Sequence, residues 1–419
     1  MSVELAPGAV TDVLAGLDPA LPGLGESYDM GRVSRAFAEA WDDEVSGCRL
    51  LGCRYEPGRR CVTSHALAVG PVGARRLTIG VLEVTPRGRS VRRFDEDEAL
   101  PGLRLAIDTR LAAERLASCC TGTVQRCTVE PVRYRPGERA VLRYRLTTAR
   151  GPEVLFGKVL VRGAVTAART LASLHETSRF AVAAPTVAPP VAVFDELGLV
   201  VQAALIGDPL HRLLFDRARS VAERLSALHR TGRAVAALHD GPAVGAPFAT
   251  AAADALDLES YVPVVGSVDP ALGDRFAEAV VRAATVSRGL AVDAAVPSHG
   301  ALRTDQVMVC AGRPALVDLD GFCLSHRGRD LGNLLAYLRW KAIRQPRHGA
   351  VVAEGRSAFL AGYRAGGGAP ADRPLRLFEA LSLLKIAGRR FRSLNVLEWP
   401  SVPDLIDAAI ALLSSGGGA

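Results

Sequence analysis

Lysine is almost missing from this chain of 419 residues. Of 51 basic residues only Lys158, Lys341 and Lys385 are lysine, and Asn333 and Asn395 are the only asparagines. The bias runs towards Arg and Ala, so a Lys that persists inside a strand invites a chemical reason. The eight cysteines form no CxxC, and no His/Cys cluster has zinc spacing, which argues against a zinc module. The adjacent pair Cys119-Cys120 suits neither a routine disulfide nor a metal site. Reduced thiols and a cytoplasmic location are expected. No run of about 18 apolar residues is free of charge or proline, so no membrane span is expected. The first residues lack the basic-then-apolar order of a secretory signal. Aromatics make up only 5% and the net charge of +7 is dispersed, which argues against nucleic acid as a partner.

What is present is a folding composition, 49% hydrophobic and 23% charged, long enough for two or three domains. Residues 1–45 read as helical, with Val33, Phe37 and Trp41 on one face. A repeat follows. Arg54-Tyr55-Glu56-Pro57-Gly58-Arg59-Arg60-Cys61-Val62 returns as Arg133-Tyr134-Arg135-Pro136-Gly137-Glu138-Arg139-Ala140-Val141, with six of nine positions identical. Pro-Gly between alternating runs predicts a β-hairpin in each copy. A third strand is predicted after each, Leu77–Val84 and Val154–Val161. Lys158 lies in the second of these, and Val81 takes its place in the first.

Between the copies, Leu103–Ala117 reads as one helix, and Ala164–His175 as another. Strands are expected at Val191–Phe194 and Leu197–Ala204. Helices are expected at Val221–His229 and near 271–289, 329–344, 351–364, 374–393 and 402–413. Strands first and helices later predict an α+β fold in two lobes.

The chemistry-bearing stretch runs from His299 to Asp320. His299-Gly300-Ala301-Leu302-Arg303-Thr304-Asp305-Gln306 leads into a strand, a turn at Ala311–Pro314, and a strand expected over Ala315–Phe322 that carries Asp318 and Asp320. Two carboxylates at a strand end can hold Mg²⁺ together with phosphate oxygens. Against the pattern H-R-D-x-x-x-x-N of kinase catalytic loops, His299 matches the His and Ala301 stands where the catalytic Asp belongs. Arg303 stands where many kinases keep a Lys on the transferred phosphate. Gln306 stands at the metal-binding Asn.

With His299-Gly300, Val317-Asp318-Leu319-Asp320 and Gly328-Arg329-Asp330-Leu331, the chain resembles the aminoglycoside phosphotransferase/choline kinase superfamily over roughly residues 120–400. Gln306 and the extra N-terminal structure are similar to maltokinase-like members. The resemblance implies a two-lobed protein-kinase-like fold with a β-rich N-lobe and a mostly helical C-lobe. It also implies an extra N-terminal α/β cap built like part of the N-lobe. The domains would be 1–118 for the cap, 119–206 for the N-lobe and 207–419 for the C-lobe.

ATP and Mg²⁺ are the implied cofactors. Lys158 and the Pro136-Gly137 hairpin would meet the phosphates, and Gln202 the adenine. Asp318, Gln306 and Asp320 would hold the metal. His299 would be scaffold, Asp330 a buried acceptor behind the site, and Asp305 the nearest carboxylate to the missing base. The usual helix Glu that pairs with the strand Lys is absent inside Ala164–His175, with Glu176 only at its end. Ala301 keeps two readings open. One is a phosphotransferase on a small-molecule hydroxyl, weakened by the lost base. The other is a pseudokinase that binds nucleotide or a protein partner. Residues 297–419 hold 16 Arg/Lys against 10 Asp/Glu, which argues against a polycationic substrate.

Overall fold

The computed structural model describes residues 7–120, 122–181, 183–242, 245–290 and 295–414. Two compact units emerge. The described residues up to Arg169, with Pro189–Ala204 and Arg392–Leu397, form the first. Thr170–Ala188, Leu205–Phe391 and the described residues from Glu398 onward form the second.

In the first unit, helices α1 (Pro7–Ala15) and α2 (Met30–Trp41) lead into strands β1 (Val45–Glu56), β2 (Arg60–Val69), β3 (Arg76–Thr85) and β4 (Gly88–Arg93). These form one antiparallel sheet in that order. Val33 and Phe37 of α2 are buried, and Trp41 packs on Phe37 at 4.9 Å, as the i, i+4, i+8 spacing predicts. Helices α3 (Leu103–Ala106) and α4 (Thr109–Leu116) precede β5 (Val124–Arg135), β6 (Arg139–Thr148) and β7 (Gly151–Leu160). The single helix expected over Leu103–Ala117 is therefore broken. Asp108 accepts from the amides of Arg110 and Leu111 and starts α4 as a new N-cap. Helix α5 (Ala164–Phe180) and the short β8 (Thr186–Val187) intervene before β9 (Pro190–Phe194) and β10 (Leu199–Ala203). The second sheet has the order β5-β6-β7-β10-β9.

The repeat proves longer than the hairpin. Asp18-Pro19-Ala20-Leu21-Pro22-Gly23-Leu24 returns as Asp97-Glu98-Ala99-Leu100-Pro101-Gly102-Leu103. Each aspartate latches its own hairpin. Asp18 Oδ2 accepts from Tyr55 Oη at 2.9 Å and from the Gly58 amide at 2.7 Å. Asp97 Oδ2 accepts from Tyr134 Oη at 2.6 Å and from the Gly137 amide at 2.7 Å. In both copies the aspartate precedes the Tyr by 37 residues and the Gly by 40. Asp29, which caps α2, is the mate of Asp108. The tips also meet, with Arg54 donating to Glu138 at 3.3 Å.

Strand pairing corrects the expected mate of Lys158. Lys158 lies opposite Val141. Val62, the repeat mate of Val141, lies opposite Glu83 and not Val81. The reason is the connection before the third strand. Val69 pairs with Arg76 across a longer loop, whereas Thr148 pairs with Gly151 across a tight turn. A slip of two residues keeps the side chain on the same face, so the first copy presents an acid where the second presents its lysine.

One buried group in this unit sets an acid limit. His65 is fully buried beside Phe37, and neither ring nitrogen makes a well-aligned hydrogen bond. Burial pushes its pKa down to about 4, softened by the Ser27 backbone. The unfolded chain takes up that proton near 6.5, so the stability is fully present above about pH 6.5 and is lost as pH falls to about 4. The loss should reach about 3 kcal/mol. Denaturant unfolding between pH 7 and pH 4 measures it, and His65→Leu should flatten that segment of the curve.

The second unit is mostly helical. Strand β11 (Asp208–Pro209) leads to α6 (Leu210–Phe215), α7 (Val221–His239), α8 (Ala251–Glu259), α9 (Val262–Gly266) and α10 (Pro270–Arg288). Then come β12 (Val296–Ser298), β13 (Val307–Cys310), β14 (Arg313–Leu316) and β15 (Cys323–Ser325). Helices α11 (Gly328–Arg344), α12 (Gly349–Ala365), α13 (Asp372–Arg392) and α14 (Val402–Ser414) follow. The strands form a small sheet, β11-β13-β14-β8, and a pair, β12-β15. The helix expected over Val221–His229 runs on to His239, started by a capping box between Ser220 and Glu223. The strand expected over Ala315–Phe322 stops at Leu316, because Asp318 adopts a left-handed conformation (φ 61°) that no strand continues. The whole is a mixed α+β fold, sheet-rich at its N-terminal end and helical at its C-terminal end. Among the described residues no helix is long and apolar enough to cross a membrane.

Candidate active site

Asp330, in the first turn of α11, organises the loop after β12. Its carboxylate is completely buried. It accepts from the His299 amide at 2.7 Å and the Gly300 amide at 2.9 Å. His239 Nε2 lies 3.3 Å from it, and that ring is held in turn by Tyr363 at 2.9 Å. Burial pushes the carboxyl pKa up, but the His239 bond and field and the backbone amide reverse this and hold it below its ordinary value. Gly300 has φ 79°, and a Cβ there would stand 1.9 Å from the Gly321 carbonyl oxygen. Only glycine fits that crossing. Asn333, one helical turn after Asp330, donates to the Gly300 carbonyl at 3.2 Å.

This scaffold fixes the loop's two ends. His299 Nε2 lies 3.0 Å from the Val317 carbonyl. The Val317 amide donates to the Gln306 carbonyl at 3.0 Å. Gln306 Nε2 then donates to Asp318 Oδ2 at 3.2 Å, while Gln306 Oε1 is buried with no partner. Asp318 itself carries the strained backbone noted above. Such a conformation costs on the order of 1–3 kcal/mol and clusters at functional sites. Asp320 is exposed in the turn that follows. The structure thus brings His299, Gln306 and Asp318 together through hydrogen bonds.

Ala301 is exposed at the head of the loop. Arg303 is mostly buried, its side chain 16% exposed. It lies 3.3 Å from Asp305 off the line of a hydrogen bond, and its Nη1 donates weakly to Tyr337 Oη at 3.4 Å. Asp305 is 47% exposed.

The remaining expected residues belong to the first unit. Lys158 is half-buried in β7, between Val141 of β6 and Val200 of β10. Pro136 and Gly137 form the β5–β6 turn, and the Gly137 amide is taken by Asp97. Gln202 is half-buried in β10 opposite Phe156. Helix α5 extends to Phe180, so Glu176 lies inside it, paired with Arg179 at 3.5 Å. Sequence reading missed Asn333, Tyr337 and His239. For Asn333 a signal existed, since it is one of two asparagines in the chain.

A family model described as phosphotransferase enzyme family matches residues 138–378. Three solved structures share the fold. One is a protein of Ralstonia eutropha JMP134 assigned as an aminoglycoside phosphotransferase (16% identity, 73% of this chain and 97% of that one, TM-score 0.54). Another is an amicoumacin kinase solved with AMP-PNP, Ca²⁺ and Ami (17% identity, 75% and 96%, TM-score 0.53). The third is a glucosamine kinase (18% identity, 96% and 99%, TM-score 0.51). No curated protein matches the sequence. The glucosamine kinase match extends over nearly the whole chain and so includes the duplicated N-terminal region.

Proposed function

The chain belongs to the phosphotransferase enzyme family, and from that premise we propose that it uses ATP and Mg²⁺ to phosphorylate a small molecule, slowly where the acceptor is a neutral hydroxyl. The observation that carries the reading is the buried, partnerless Gln306 Oε1 beside the strained Asp318. A buried acceptor without a donor is costly. Turned to the side where Nε2 now donates to Asp318, that amide oxygen and the carboxylate would make the hard-oxygen pair that Mg²⁺ takes along with phosphate oxygens and water. Asp318 and Gln306 would hold the ion, with Asp320 as a further carboxylate. The ion would neutralise charge on the phosphates. Lys158 would hold the α/β-phosphates and Gln202 the adenine. The Pro136-Gly137 hairpin would cover the phosphates with atoms other than the latched Gly137 amide. Arg303 would approach the transferred phosphate.

A second reading, a pseudokinase serving a nucleotide-dependent or protein-binding role, draws on Ala301. A methyl group neither accepts a proton nor orients a hydroxyl.

Thermal-shift titration with ATP and Mg²⁺ tests the reading. At about 100 times Kd, bound nucleotide adds about 2.7 kcal/mol, which raises Tm by roughly 5–10 °C. Asp318→Ala and Lys158→Ala should each remove most of the shift. Wild type without a shift, or an Asp318→Ala variant that shifts like wild type, sinks the metal assignment.

A further inference from the structure

The face of α11 that begins at the loop is lined with cations. Asn333, Tyr337, Trp340 and Arg344 follow one another at helical spacing. Asn333 holds the carbonyl of Gly300, the residue before Ala301. Tyr337 then stands between two arginines. The Arg303 guanidinium lies 5.2 Å from its ring centre, and Arg389 of α13 reaches the hydroxyls of Tyr337 and Tyr261. Burial and, more weakly, the repulsion from Arg389 push the Arg303 pKa down, but Tyr337 and Asp305 reverse this and hold it above its ordinary value. Both arginines are largely withdrawn from water. The acid beside Arg303 is Asp305, half in solvent.

One turn further, Trp340 packs at 5.7 Å against Tyr337. Arg390 and Arg344 lie 5.0 and 5.7 Å from the Trp340 ring. Buried Glu398 ties these two together, at 2.7 and 2.9 Å. It serves that outer pair and leaves the inner pair to Asp305. The indole Nε1–H of Trp340 is buried with no acceptor. Two like charges and a spare donor in one half-dry strip call for an anion.

Resting on the phosphotransferase reading above, we propose that the acceptor is an anion that attacks through an oxygen already ionised at neutral pH, a carboxylate or a phosphate monoester, held by Arg303, Arg389 and the Trp340 N–H. Ala301 supports this from a separate direction. An alcohol must lose a proton as it attacks, and position 301 offers no base. An oxyanion has no proton to lose. Its lone pair forms the new O–P bond to the γ-phosphorus while the bond from that phosphorus to the β,γ-bridging oxygen breaks. ADP leaves with the electron pair, and the product is an acyl phosphate or a diphosphate. Arginine suits the task, since its planar fork matches carboxylate and phosphate oxygens.

The test offers the full chain, with ATP and Mg²⁺, two matched pairs of acceptors. Succinate is compared with butane-1,4-diol, and glycerol 1-phosphate with glycerol. Release of ADP gives kcat/KM. Hydroxylamine trapping reports an acyl phosphate, and a diphosphate signal in ³¹P NMR reports the other source. Each anion should exceed its neutral partner by about tenfold or more, the worth of one charged hydrogen bond. Arg389→Gln and Trp340→Phe should erase about that factor, Arg389→Lys should recover part of it, and the ATP thermal shift should stay at the wild-type value in all three. Neutral partners turned over as fast as the anions, or no anion turned over by a protein that binds ATP, overturns the proposal and leaves the nucleotide site standing. A protein that shows no ATP shift at all fails one step earlier, at the phosphotransferase reading.

Discussion

Ala301→Asp is expected to raise phosphoryl transfer from ATP to a neutral alcohol by about 10²- to 10⁴-fold, the usual worth of a positioned general base. The backbone is ready for the change. Gly300 is locked by its crossing with Gly321, Asp330 holds the amides of His299 and Gly300, and residue 301 already faces solvent. A carboxylate added there needs no core to be repacked, and the substitution restores the one position of the loop at which a proton could be taken. Coupled ADP release with butane-1,4-diol as acceptor measures it. Because phosphoryl transfer proceeds through a loose transition state that relies on positioning and charge, the wild-type rate need not be zero. Transfer to succinate should change little, since no proton moves. If the alcohol rate stays at the wild-type level in a variant that still binds ATP, the missing base is not what limits the protein, and the pseudokinase reading gains.

Asp330→Ala should be the most damaging single change in the second unit. It removes the acceptor of two backbone amides and the charge that faces His239, all in a fully buried place. Stripping one partner from such a cluster typically costs about 3–5 kcal/mol, which corresponds to a fall in Tm of roughly 10 °C for a unit of this size. Calorimetry measures it. Asp330→Asn keeps an oxygen for one amide and should lose less. Should Asp330→Ala melt within a degree or two of wild type, the carboxylate is not what holds the loop. The folded carboxyl is depressed, so its contribution is present above the ordinary carboxylate range and is lost as pH falls through the folded value.

Much of the site could be read along the chain because its chemistry is carried by short motifs. His299-Gly300, Asp318-x-Asp320 and Asp330-Leu331 each fall within a few residues, and one helix start or strand end suffices to present them. What could not be read depends on contacts between distant segments. Asn333 and Tyr337 join the loop only because α11 packs against it, and nothing in their local spacing says so. Val-Asp-Leu-Asp-Gly-Phe alternates as a strand does, so periodicity alone places Asp318 in one. The left-handed turn at Asp318 is imposed by the link from Gln306 to Val317 and Asp318, which periodicity does not encode. The aspartate latches are illegible in the sequence for a related reason. Their sequence, Asp-x-Ala-Leu-Pro-Gly-Leu, is turn material with neither period. The two-residue offset between Val81 and Glu83 reflects a difference in loop length that only the strand pairing reveals.

The two latches also bear on how the first unit acquires its structure. Two stretches that share six of seven residues, each with a hairpin alike at six of nine, offer each aspartate a choice of two Tyr-x-x-Gly targets. A chain that closes Asp18 onto Tyr134 and Gly137 instead of Tyr55 and Gly58 would satisfy the same hydrogen bonds, at the expense of strand order. Non-native pairings of this kind are the kinetic traps characteristic of repeated modules. For Asp18 the shorter closure distance favours the correct choice. Asp97 lies about equally far along the chain from either hairpin, and there the unlike partners Glu83 and Lys158 on otherwise equivalent strands give the chain a means of telling one copy from the other.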